Sequence, residues 1–114
     1  MLSKPYRLQK DQEIKAVWQK GRNFYGRYLG LKFLPNKLTN NRFCFVISNK
    51  VSKKATARNR LKRQLRETVQ LNLAKIKGNN DIVISARPAK EVLDQKYKDL
   101  ESELFWLFKK VKLM

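Results

Sequence analysis

The segment from Ser52 to Leu71, SKKATARNRLKRQLRETVQL, constrains the fold more tightly than any other part of the chain. Between Lys53 and Glu67 it carries seven Lys or Arg residues, one Asn, and Glu67 as the single acid. Leu61, Leu65, Val69 and Leu73 recur at every fourth position, which sets them in one row of a helix. Arg58, Lys62 and Arg66 form the adjacent row, with Asn59 and Arg63 beyond it. An isolated helix with this charge repels itself, and most helical stability comes from packing an apolar face. The leucine row therefore has to bury against another element, which leaves the charges as a stripe beside the seam. A merely solvated helix face would interleave acids with its bases, and this one does not.

The remainder of the composition narrows the partner. Among 114 residues there are 27 basic and 9 acidic side chains, for a formal charge of +18. Self-repulsion at that charge opposes folding, and the compensating partner is a polyanion, nucleic acid before an anionic membrane. With 42% apolar residues and twelve aromatics, the chain can fill one modest core, and a single domain over residues 1–114 is expected. Cys44 is the only cysteine. It cannot form an internal disulfide, and within RFCFVIS it reads as a buried small hydrophobe. The N-terminus lacks an apolar core of signal-peptide length, and no apolar run approaches the roughly 18 residues that span a bilayer. A soluble, cytoplasmic protein with no membrane partner and no evident obligate protein partner is expected.

Several catalytic classes are excluded. There is no histidine, no cysteine cluster for zinc and no glycine-rich phosphate loop. Asp99, Glu101 and Glu103 share a helix with core positions and read as solvated charges. No catalytic residue and no metal ligand is assigned to this chain, which does not look like a self-sufficient nuclease.

Along the chain, residues 1–10 form a basic, extended segment. Asp11 can cap a short helix ending near Lys20 at Gly21, with Ile14, Val17 and Trp18 on one face. Arg27 to Leu34 alternates as a half-buried strand: Leu29, Leu31 and Phe33 point one way, while Tyr28, Gly30 and Lys32 form an open face. Asn-rich turn chemistry over 35–41 leads to a strand from Arg42 to Ile47, and these two strands are expected to pair as a hairpin. The basic helix should run from about Thr56 to Ile76, with Gly78 in the turn out of it. Asp81 to Ala86 is a β-branched strand, and Asp94 can cap a last helix through about Val111. Its apolar row is Tyr97, Leu100, Leu104, Leu107, Phe108 and Val111. The order α-β-β-α-β-α implies an α+β sandwich, a small mixed sheet packed with helices.

The stripe is chemically specific. From Arg58 to Arg66, Arg outnumbers Lys four to one, and the guanidinium fork suits phosphate and stacks on bases. Asn59 adds donors and an acceptor able to read a base edge or a 2′-hydroxyl. Lys50, Lys53 and Lys54 precede the helix, whose first N–H groups also attract phosphate. Entry of a basic helix into a DNA major groove would require a dimerising seam directly after it; here a glycine turn and a strand follow.

ARNRLKRQLRE, Ala57 to Glu67, resembles the signature helix of the protein subunit of bacterial ribonuclease P. FVISNKVSKKA (45–55), YRL (6–8), VWQKG (17–21) and DIVISARP (81–88) fall where that family has similar elements, so the resemblance covers nearly the whole chain. It implies a ribonucleoprotein that removes the 5′ leader from precursor tRNA. The RNA does the chemistry with Mg²⁺ held mainly by RNA and substrate, and the protein is inactive alone. The protein would bind the catalytic RNA through Lys50, Lys53, Lys54, Arg58, Asn59, Arg60, Lys62, Arg63 and Arg66. A cleft lined by Ile14, Trp18, Tyr28 and Lys32 would bind the single-stranded leader, raising substrate affinity and assisting Mg²⁺ binding. Trp18 is open to two readings, base stacking or ordinary core packing. The resemblance also implies a left-handed β-α-β crossover, where handedness statistics favour the right-handed form.

Three positions depart from the family pattern. Ile14 stands where an aromatic is usual, Asn49 interrupts a common S-K-K, and Lys32 replaces an aromatic on the open strand face. A ribosomal-type RNA-binding module is the alternative function. It would associate with RNA without affecting cleavage of precursor tRNA.

Overall fold

The strand that organises the molecule is the β-branched run near residue 81, buried on both faces. A computed structural model describes residues 2–88 and 90–114. In chain order the elements are α1 (Asp11–Lys20), β1 (Arg22–Tyr25), β2 (Leu29–Pro35), β3 (Arg42–Val46), α2 (Ala55–Leu71), β4 (Asn80–Ala86) and α3 (Tyr97–Lys110), with short 3₁₀ turns at Lys4–Tyr6, Leu73–Lys75 and Lys90–Asp94. The sheet order is β1-β2-β4-β3. β2 runs antiparallel to both β1 and β4, while β3 runs parallel to β4. The fold is thus α+β with a mixed sheet, in the order α-β-β-β-α-β-α.

The expected hairpin between β2 and β3 does not form. β4 lies between them, matching β2 from Leu29 opposite Ala86 to Pro35 opposite Asn80. The reason is burial: Ile82, Val83 and Ile84 are all within 1% of fully buried, and only a central position covers both faces of such a run. β1 is an addition to the expected elements, because RNFY is short and mostly exposed. It pairs with β2 through a turn in which Gly26 N–H donates to Leu29 O at 2.8 Å. Phe24 stacks on Phe33 with ring centroids 6.4 Å apart, and Arg22 lies over both rings.

Three helix ends also differ from expectation. Asp11 does not cap α1: Lys10 holds the cap position without a side-chain bond, and Asp11 is the first helical residue. α2 stops at Leu71, where Asn72 Nδ2 donates to Thr68 O at 2.7 Å, and the chain leaves through a 3₁₀ turn. Gly78 takes φ +90°, the left-handed conformation that glycine tolerates. α3 begins at Tyr97, because Lys96 is extended and Asp94 closes the preceding 3₁₀ turn. Glu103 is not a solvated charge. Its carboxylate accepts N–H bonds from Tyr28 and Leu29, and a side chain at position 26 would collide with it at 2.9 Å.

Helices cover both faces of the sheet. On one face Leu61, Leu65 and Val69 of α2 and Leu100, Leu104, Leu107 and Phe108 of α3 pack on Leu29, Leu31, Phe43, Ile82 and Ile84. On the other, α1 inserts Val17 against Val83 and Leu8, with Ile14, Cys44 and Val46 around them. α1 is further tied down by charge. Arg42 reaches Glu13 at 2.9 Å and Asp81 at 2.8 Å, with Asp81 also accepting from Asn36 Nδ2. The hydrogen bond to Asp81, foremost, raises the Arg42 pKa and keeps its guanidinium charged.

Removing Arg42 leaves Asp81 buried without its main counter-charge, a loss that typically costs about 3–5 kcal/mol. Arg42→Ala is accordingly expected to lower the urea midpoint by the equivalent of about 3 kcal/mol with an unchanged slope, measured by equilibrium unfolding.

Candidate nucleic-acid interface

Two basic surfaces emerge, separated by the sheet. The first is α2 with its approach. Val51, 1% exposed, anchors the loop beneath. Ser48 and Ser52 hydroxyls accept from the N–H groups of Lys50 and Lys54. These turns hold Lys50, Lys53 and Lys54 exposed at the start of α2. No side chain caps that start and no acid stands in its first turn, so its free N–H groups and the lysines present one anion-attracting end.

Along the helix the expected rows are realised unevenly. Leu61, Leu65 and Val69 are core, whereas Leu73 is half-buried in the 3₁₀ turn. Arg58, Lys62 and Arg66 are half-buried beside them, and Asn59 and Arg63 are exposed. Arg58 Nη1 donates to Ser52 O at 2.8 Å, so one member of the stripe also ties the loop to the helix. Lys62 and Arg66 wall a cavity of about 350 Å³ floored by Leu8, Phe43 and Cys44. Arg60 stands apart from this group. It lines a small cavity of about 220 Å³ with Gln64, Val92 and Gln95, on the side toward the segment preceding α3.

Arg7 is a member of this surface that sequence reasoning does not reach. The basic N-terminal segment is not loose: Leu2 and Leu8 are each 3% exposed, Leu8 N–H donates to Phe43 O at 2.9 Å, and Arg7 bridges to Phe43 alongside β3. Arg7 thereby joins Lys62 and Arg66 around the same cavity. The alternation of Leu2, Tyr6 and Leu8 is the available signal, hidden by the surrounding charge.

Cys44 is half-buried in this floor. Burial pushes its thiol up, with Lys62 pulling the other way. A raised thiol pKa means that the stability it contributes is complete below the unfolded thiol pKa and lost as pH rises through the folded value. The thiol is correspondingly a poor nucleophile.

The second surface lies between α1 and the sheet. Of the four residues expected there, Ile14 is half-buried against the Val17 cluster and Trp18 is 41% exposed, too open for ordinary core packing. Lys32 Nζ sits 4.4 Å from the centroid of the Trp18 ring and donates to Trp18 O at 3.0 Å. Lys32 therefore holds the indole in place. Tyr28 is not brought to this surface. It packs against the α2–α3 core, with Arg27 over its ring, because strand alternation is broken at the turn that Glu103 caps. Tyr25 takes the place instead. It opens with Trp18, Ser48, Ser85 and Arg87 on a cavity of about 330 Å³.

Among the described residues there is no group of three or more Cys, Asp or Glu side chains placed to hold a metal ion, and no helix is long and apolar enough to cross a membrane.

A family model described as Ribonuclease P matches residues 2–112. The chain is 40% identical over 109 residues to the ribonuclease P protein component of Fusobacterium nucleatum, covering 94% of this chain and 97% of that one. It is 39% identical over 108 residues to the protein component of Alkaliphilus metalliredigens, covering 95% of each. Among solved structures, the Staphylococcus aureus RNase P protein superposes with TM-score 0.86 at 25% identity, over 96% of this chain and 98% of that one. The Thermotoga maritima protein gives 0.82 at 27%, over 91% and 96%.

Two measurements check this surface. Removing one cation that neutralises a phosphate should flatten the dependence of log affinity on log salt by about 0.7–0.9. Lys62→Ala and Arg63→Ala should therefore each reduce the slope by about one such step in RNA-binding titrations. Cys44 in the folded protein should react with a disulfide reagent far more slowly at pH 8 than in denaturant, followed by thiolate release.

Proposed function

The chain belongs to the ribonuclease P protein family, and from that premise we propose how its two basic surfaces divide the work. The family's protein component is the protein subunit of an endoribonuclease that functions in 5′ maturation of precursor tRNA. In this proposal α2 and its approach loop dock on the catalytic RNA, through Lys50, Lys53, Lys54, Arg58, Asn59, Lys62, Arg63 and Arg66, with Arg7 added and Arg60 at the margin. The groove under α1 receives the single-stranded leader, with Trp18, Ile14 and Lys32 beside it.

One observation carries this division. The basic helix and the aromatic cleft stand on opposite faces of one sheet, so one chain can touch two RNA strands at once. Phosphates brought together in a ribonucleoprotein repel, and fixed guanidinium and ammonium groups offset that repulsion. The chain's share of catalysis is thus binding and orientation. When bound, Mg²⁺ would supply the activated water and the charge stabilisation; in this reading it is held by the RNA and substrate. The working compartment is the cytoplasm, where the RNA and its substrate are made, and no further protein partner is required.

The test is cleavage of a precursor tRNA by the cognate catalytic RNA at limiting Mg²⁺. Wild-type protein should restore cleavage at the mature 5′ end, and protein without RNA should cut nothing. Lys62→Ala with Arg63→Ala should raise the protein concentration for half-stimulation more than about tenfold, since hydrogen bonds to charged groups contribute about 1.5–3 kcal/mol each. Tight binding of the RNA without any change in cleavage would return the protein to the class of passive RNA-binding modules.

A further inference from the structure

The cavity beyond Trp18 has a second aromatic wall that the family resemblance does not assign. Tyr25, at the end of β1, is 56% exposed. Cross-strand register sets it opposite Gly30, and Gly30 opposite Ser85. Gly30 makes the space: a side chain there would come within 3.0 Å of the Tyr25 ring and 2.9 Å of Ser85 Oγ. Arg87 lies over Tyr25, with its guanidinium carbon 5.7 Å from the ring centroid. Lys32 lies correspondingly over Trp18, and its ammonium is already bonded to Trp18 O.

These pairs are not equivalent. Lys32 is committed to supporting the indole, whereas Arg87 is exposed at the rim and able to meet a phosphate. The cavity, about 330 Å³, is at the small end of ligand pockets, room for one nucleoside and not for a duplex. Aromatic walls stack on any base, and hydroxyls such as those of Ser48 and Ser85 can donate to or accept from a base edge or a 2′-hydroxyl.

We infer that Tyr25 and Arg87 form a one-nucleotide slot with Trp18, in which a single unpaired leader base stacks between the aromatic walls and its phosphate meets Arg87. This rests on the proposal that the α1 groove receives the leader. It names Tyr25 and Arg87 as contact residues that set which leader position is gripped. Tyr25 takes over the stacking surface that Ile14 and Lys32 do not supply.

The experiment uses the reconstituted holoenzyme with precursor tRNAs carrying 2-aminopurine at one leader position at a time and a deoxyribose at the cleavage site to slow hydrolysis. Wild type should quench fluorescence at one position. Tyr25→Ala should abolish that quenching and weaken binding of leader-bearing tRNA about 5- to 160-fold, the range expected when one base loses its stacking partner, without changing affinity for mature tRNA. Tyr25→Phe should retain the quenching. Arg87→Ala should lower affinity and flatten its salt dependence. If wild type prefers leader-bearing tRNA but Tyr25→Ala changes neither quenching nor affinity, the slot is wrong and the groove assignment stands. If wild type binds leader-bearing and mature tRNA equally, both fall.

Discussion

Burial of β4 on both faces is the constraint from which the rest follows. A strand whose Ile82, Val83 and Ile84 are all removed from water must lie inside a sheet and be covered twice. α2 and α3 cover one face and α1 the other. Burying apolar surface stabilises by about 25 cal/mol per Å², and that supports a chain whose charge of +18 opposes compaction. In the proposed division of roles the two-sided sheet matters as well, because it keeps the arginine stripe and the aromatic groove apart on one small scaffold.

Charge is used in two ways. At Arg42 it works inside the fold, where Glu13 and Asp81 fix α1 to the sheet and so set the groove. Elsewhere, among the described residues, most of it faces outward without an acidic partner, and the proposed function assigns it to phosphate. Lys32 and Arg58 lie between these uses. Lys32 holds Trp18, and Arg58 ties the approach loop to its helix, so each shapes a surface as well as charging it.

The legible parts are those with a strong period or an unusual chemistry. Leu61, Leu65 and Val69 of α2, Leu100, Leu104, Leu107 and Phe108 of α3 and the β-branched run of β4 stand where their spacing sets them, and Ala57 to Glu67 carries the family. What escapes is non-local. β1 has four residues and little burial, so its strand character exists only through β2. The β2–β3 hairpin fails because nothing near 35–41 reveals that a strand some forty residues later will intervene. The placement of Tyr28 depends on Glu103, a carboxylate that caps a turn 75 residues away. Tyr25 and Arg7 are invisible as site residues for the same reason, since each is positioned by a neighbouring strand and not by its own segment.

On the proposed function, opposite faces of one sheet hold two different RNAs. Tethered hydroxyl-radical cleavage tests it most directly. An iron chelate is attached through a single introduced thiol, either Arg63→Cys on α2 or Gln19→Cys on α1, in a Cys44→Ser background, within the holoenzyme bound to precursor tRNA. Cuts are expected in the catalytic RNA from position 63 and in the leader from position 19. Cuts in the same strand from both positions, or the reverse assignment, would contradict it.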